Sequence, residues 1–348
     1  METPSTAGER MRSLDRRILV IGFFMLGAGT AAGHHSPSRF DMTQIVTLEG
    51  TVARYDFTNP HVYIYLDVPG ANGETVTWEL EASSTPNLSR RGWSPDSVKV
   101  GEHVSVRVNP PRTAGQLIAR AQSVIWADGR RLAVRGEGSV AGPADPDASS
   151  ATLAGTWLGR YGLAQVGQNL ASWPMTAKGR QAQAAYDGTQ NPQIDCIPVA
   201  APSIMLYSNI YNVDVAQDRI TIDVEWMNVR REIWLDGRAH PDPAERTNQG
   251  HSVGHWENDV LVIDTRNFTD NGAGNAFEIP SGASKHVTER LRLSDDGKRV
   301  EYAFTLEDPE FLSEPVRGEG VWDYRPDLVS QPFRCDPEIA RRFLSDRQ

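Results

Sequence analysis

Gly250-His-Ser-Val-Gly-His-Trp-Glu-Asn-Asp-Val-Leu-Val-Ile-Asp264 sets two histidines, a glycine-framed serine and an aspartate around one candidate turn. Read as strand, turn and helix, the stretch is a hydrolase elbow with Ser252 as nucleophile. Read as a helix, it puts His251 and His255 on one face to share a metal ion. Read as a hairpin, it is one corner of a β-barrel. The neighbouring residues favour the hairpin. Asp242-Pro-Ala-Glu-Arg-Thr-Asn-Gln249 is not the strand that must feed an elbow, and no helical pattern follows. Gly250 and Gly254 oppose a helix. On a strand the two histidines stand roughly 13 Å apart, which metal–nitrogen bonds of about 2 Å do not span. A two-residue turn at Asn258-Asp259 pairs Glu257 with Val260, Trp256 with Leu261 and His255 with Val262. His255, Val262 and Asp264 then share a face, and Asp264 is placed to orient the His255 imidazole for acid/base work.

Alternation of the same kind extends along the chain. Val62, Ile64, Leu66 and Val68 point one way, and His61, Tyr63, Tyr65 and Asp67 the other. Strands are expected near 45–56, 61–68, 74–82, 102–109 and 116–126, with a short helix at 86–91. Five strands and a helix after the third predict a small OB-like barrel over 34–131. Residues 132–150 are rich in Gly, Pro, Ser and Asp and read as a linker. Over 151–348, strands are expected near 203–208, 211–216, 219–227, 230–235, 252–257, 260–266, 286–294, 299–307 and 317–324. Short turns between them predict an up-and-down antiparallel barrel. Helices are expected at 177–186 and after Asp336. The fold class is therefore all-β: two barrels and few short helices.

His34-His-Ser, Asn59-Pro-His61, Arg90-Arg-Gly-Trp93 and Val100-Gly-Glu-His-Val104 resemble an exported bacterial domain of unknown function. Arg231-x-Ile-Trp-Leu-Asp-Gly-Arg-Ala-His-Pro241, Gly250-His-Ser-Val-Gly-His-Trp256, His286-Val-Thr-Glu-Arg290 and Leu306-Glu-Asp-Pro309 resemble a second uncharacterised exported family. The resemblances imply an OB-like and a lipocalin-like fold, and export. They imply no activity.

Export is also expected from residues 1–33. Arg12, Arg16 and Arg17 precede the apolar run Ile18–Leu26, followed by small residues, as in a signal peptide. No membrane span is expected after its removal, so the mature protein is periplasmic or secreted. The two cysteines, Cys196 and Cys335, are then a disulfide candidate. The formal net charge of -10 opposes nucleic acid as a partner.

Charges placed on apolar rows mark the candidate site. Arg231 shares a face with Ile233 and Leu235, Glu289 with Val287 and Leu291, and Asp308 ends the row of Tyr302, Phe304 and Leu306. Buried charges must be paired, so Arg231 is expected to bridge Glu289 or Asp308. The expected function is binding of a small, mostly apolar or aromatic molecule in the second barrel. Isomerisation, cyclisation or cleavage by a cofactor-independent isomerase or lyase is its catalytic form. His255, Asp264 and Glu289 are the candidate catalytic residues. Arg231, Trp226, Glu225, Trp256, His286 and Asp308 are the candidate substrate-binding residues. One alternative is a copper site at His34 and His35 near the mature N-terminus. Another is a non-catalytic module that docks a partner.

Overall fold

The computed structural model describes residues 40–70, 72–135, 143–160, 172–186, 191–276 and 278–345. The expected signal segment, His34 and His35 lie outside the described residues. The chain is all-β with a few short helices.

Five strands close the first barrel: β1 (Val46–Asp56), β2 (Tyr63–Pro69), β3 (Thr75–Glu81), β4 (His103–Asn109) and β5 (Ile118–Trp126). β2, β1, β4 and β5 pair antiparallel in that order, β3 flanks β2, and a parallel β3–β5 contact shuts the ring. The helix α1 (Thr85–Ser89) follows β3. Pro86 suits its first turn, where an amide donor is not needed. Val52, Ile64, Leu66, Leu80, Val104, Val106 and Val124 alternate inward to make the core. β6 (Arg131–Ala133) pairs with β5, so pairing runs into the segment expected to be linker.

The second barrel is a closed ring of nine strands. In chain order they are β7 (Gly155–Gly159), β8 (Ile210–Val215), β9 (Arg219–Val224), β10 (Val229–Trp234), β11 (His251–Glu257) and β12 (Val260–Arg266), then β15 (His286–Leu293), β16 (Arg299–Glu307) and β17 (Val316–Tyr324). A small hairpin, β13 (Asn271–Ala276) and β14 (Ile279–Ser281), lies outside the ring. Helix α2 (Ala177–Ala185) is capped by Thr176, whose side chain accepts from the Gly179 amide. Helix α3 (Pro337–Ser345) follows the Cys335 strap.

Three expectations are corrected. Residues 203–206 form a 3-10 turn, not a strand. Its residues Ser203, Ile204, Met205 and Leu206 are all buried, so the apolar run reflects burial on every side rather than a pleat. β7 is an addition to the strands expected from sequence. Its last glycine is required by packing: a Cβ on Gly159 would sit 2.1 Å from the Tyr207 carbonyl oxygen. Finally, β10 and β11 run parallel, pairing only Ile233 with Ser252 and Trp234 with Val253, so the ring is not wholly up-and-down.

The interior of this barrel is packed. Tyr211 stacks on Trp322 with ring centroids 4.3 Å apart, and Trp322 on Tyr302 at 6.1 Å. Trp157, Ile222, Ile233, Leu261, Ile263, Val287 and Leu291 fill the rest. Among the described residues, no helix is long and apolar enough to cross a membrane.

Candidate functional site

The hairpin register matches the turn at Asn258-Asp259: Glu257 faces Val260, Trp256 faces Leu261 and His255 faces Val262. Asn258 takes a φ of 56°, a left-handed conformation that asparagine tolerates. The register puts Ser252, Leu261, Ile263 and Thr265 on the inner face. It puts His251, Val253, His255 and Asp264 on the outer one.

The glycine frame around Ser252 is a packing device. Gly250 has a φ of 71°, and a Cβ there would meet the Arg266 carbonyl oxygen at 2.7 Å. A Cβ on Gly254 would meet Ile233 Cγ2 at 2.7 Å, where β10 crosses β11. Ser252 belongs to a buried polar network, not to an elbow. Arg231 and Glu289 form a two-point ion pair at 2.9 and 2.6 Å. Arg231 Nη2 also donates to Ser252 at 3.4 Å and Thr265 at 3.3 Å, and the Tyr302 hydroxyl donates to Glu289 at 2.9 Å. Burial opposes the charge of Arg231, but Glu289 holds its pKa above the ordinary value. Burial, reinforced by Glu289, keeps Tyr302 protonated far beyond its usual range. The expected bridge from Arg231 is thus made to Glu289. Asp308 lies apart, accepting from Asn275 Nδ2 at 2.8 Å and the Gly282 amide at 2.9 Å.

On the outer face Asp264 gathers histidines, but His255 is not one of them. His240 Nε2 lies 2.8 Å from Asp264 Oδ1, and His286 Nε2 lies 2.5 Å from Oδ2. Arg266 Nε donates to Oδ1 at 2.9 Å. His240 Nδ1 lies 3.1 Å from His251 Nδ1. His286 Nδ1 lies 3.2 Å from Glu307. The chain His251–His240–Asp264–His286–Glu307 therefore runs across β11, the 235–250 connection, β12, β15 and β16. Burial alone would raise the Asp264 pKa; the bonds from His286 and Arg266, then His240, hold it far below the carboxylate range. Burial lowers the pKa of His251, and the neighbouring His240 and Arg238 lower it further.

The other candidates scatter. His255 points outward and its partner is Glu257 at 3.3 Å, because the diagonal to Asp264 is filled by His240 from the connection. Trp256 is exposed near the hairpin tip. Glu225 is buried and holds Arg90 of the first barrel through two contacts of 2.8 Å. Trp226 packs on Tyr207 and Phe333. These two residues join the barrels and the C-terminal strap rather than lining the candidate site. Cys196 and Cys335 form the disulfide, and Cys335 bridges to Asn59 of the first barrel. His240 and His251 are functional candidates that the sequence pattern does not single out, since His240 lies in an aperiodic connection and His251 stands too far from His255 to share a metal ion. Among the described residues, no group of three or more His, Cys, Asp or Glu is arranged to hold a metal ion.

A cleft of about 290 Å³ opens in the barrel wall at the β10–β11 seam. Arg230, Arg231, Trp234, Gln249, His251 and Ser252 are among its lining residues. Two of these carry buried polar atoms without a partner, Arg231 Nε and Gln249 Oε1.

A family described as being of unknown function (DUF6152) matches residues 24–118, a span that reaches only the start of β5. No curated protein matches the chain.

Proposed function

We propose that this is an exported protein that binds a small polar molecule in the cleft between β10 and β11. One observation carries the reading. Arg231 Nε and Gln249 Oε1 belong to residues lining one cleft, and both are buried with no hydrogen-bond partner. Leaving such atoms unpaired costs roughly 1–3 kcal/mol each. A molecule that enters the seam as far as these atoms, presenting one acceptor and one donor, removes that cost. The cleft size suits a small ligand. A polar ligand fits this lining better than the mostly apolar one expected from sequence, and the packed interior favours the wall over the middle of the barrel.

Export is supported by the basic and apolar pattern of residues 12–26 and by the Cys196–Cys335 disulfide, which suits an oxidising compartment. The connectivity of β1 to β5 supports an OB-like first domain. The ring of hairpins supports a lipocalin-like second domain, with its interior closed. Native mass spectrometry of the exported protein tests the reading. The wild type is expected to carry a small-molecule adduct that Gln249→Leu loses. Adducts of equal occupancy in both proteins, or none in either, would sink it.

A further inference from the structure

The outer-face chain ends on the same cleft. His251 lines the cleft and is also the last member of the chain built on Asp264. The proton positions along it follow from the donors and acceptors. Asp264 is held ionised, so it only accepts. His240 Nε2 must then carry the hydrogen that Asp264 Oδ1 receives at 2.8 Å. In neutral His240 that leaves a lone pair on Nδ1. His251 Nδ1, 3.1 Å away, supplies the hydrogen for that contact. Neutral His251 therefore keeps its lone pair on Nε2, for which no partner exists among the described residues.

We propose that His251 Nε2 is a general base acting on a molecule held in the cleft, with His240 and Asp264 as positioning residues. The inference rests on the cleft being a binding site. The substrate class is a small polar carbonyl compound with an acidic C–H beside the carbonyl. Nε2 takes that proton, the C–H electron pair moves to the carbonyl oxygen as an enolate, and Nε2 returns the proton to a different carbon or to oxygen. The net change is an isomerisation, so no oxidant, reductant or co-reactant is consumed. When Nε2 is protonated, the Nδ1 proton of His251 moves to His240. The positive charge then sits beside Asp264, and Arg266 and His286 keep that carboxylate in place. Arg238, on the same connection, opposes positive charge on His251 itself.

Dihydroxyacetone is a suitable probe. In heavy water its C–H hydrogens are expected to exchange faster with the protein than in buffer. His251→Gln is expected to lower the enhancement about 100-fold. Asp264→Asn is expected to lower the rate and to move the midpoint of its pH profile, which a merely structural carboxylate does not do. Nitrogen NMR should find His251 protonated on Nδ1 and bare on Nε2 at neutral pH. Equal exchange by wild type and His251→Gln, or a protonated Nε2 at neutral pH, overturns the base. Saturation-transfer NMR separates the two ideas. Probe that binds without exchanging removes the base and leaves the cleft; probe that does not bind removes both.

Discussion

Arg231 on β10 and Glu289 on β15 form a two-point ion pair across the interior of the second barrel, at 2.9 and 2.6 Å, with both side chains essentially sealed from solvent. Four strands of the ring meet there, because Ser252 and Thr265 add hydroxyls from β11 and β12. A pair this deep sets strand register more than it adds net stability.

Breaking the pair from one side leaves a charge with no compensation. Glu289→Gln is expected to destabilise the protein by about 3–5 kcal/mol in urea unfolding. A loss under 1 kcal/mol would mean that water reaches Arg231 and shares its charge.

Lys285 gives a pH signature. It is buried, donates to the Gly274 carbonyl and lies over the Phe268 ring at 4.5 Å. Burial lowers its pKa to about 7 from 10.5, against the pull of Asp308 and Glu289. Between these values the unfolded chain binds more protons than the folded one, so this group makes stability rise with pH from about 7 to 10.5. Below about 7 its cost is full and constant. Unfolding at a series of pH values should show a smaller rise for Lys285→Met than for wild type. Parallel curves for the two proteins would reject the shift.

The glycine frame makes an ordered prediction. Ser252→Ala removes one hydroxyl from a shared network and should cost about 1 kcal/mol. Gly250→Ala should cost more, since its φ is 71° and the new Cβ meets the Arg266 oxygen. A fluorophosphonate is expected to leave Ser252 unlabelled. Labelling at that serine would restore the hydrolase reading.

The barrels are coupled through Arg90 and Glu225. Arg90→Ala strands the buried Glu225 carboxylate and should cost about 3 kcal/mol. Calorimetry should then show one transition in wild type and two in the variant. One unchanged transition would mean that the disulfide strap alone holds the units together.

Much of the hairpin was legible from sequence, because side-chain alternation and an Asn-Asp turn fix register locally. The Arg231–Glu289 bridge was legible for a similar reason: charges on apolar rows have few partners to choose from. His240 was not legible. It lies in the 235–250 connection, which has no periodicity, and it reaches Asp264 only because that connection crosses the outside of the wall. Spacing alone therefore paired Asp264 with His255, its diagonal neighbour, when a more distant histidine takes the place. β7 was hidden by glycines that packing demands, Gly155 against Tyr324 and Gly159 against Tyr207. The buried run at 203–206 imitated a strand because a plug and a pleat can carry the same apolar residues.

The β10–β11 seam has an arithmetic cause. Strands that alternate up and down around a ring meet without conflict only when their number is even. This ring has nine, so one pair must run the same way, and that pair is β10 and β11. Such a pair cannot be joined by a tight turn, so the chain must travel the length of the wall between them. That journey is the 235–250 connection, which delivers both Gln249 to the cleft and His240 to Asp264. Removing β7 would not relieve the seam, because β17 and β8 both oppose β7 and would meet as a second parallel pair. The long return between β10 and β11, and the two residues it brings to the wall, would stay.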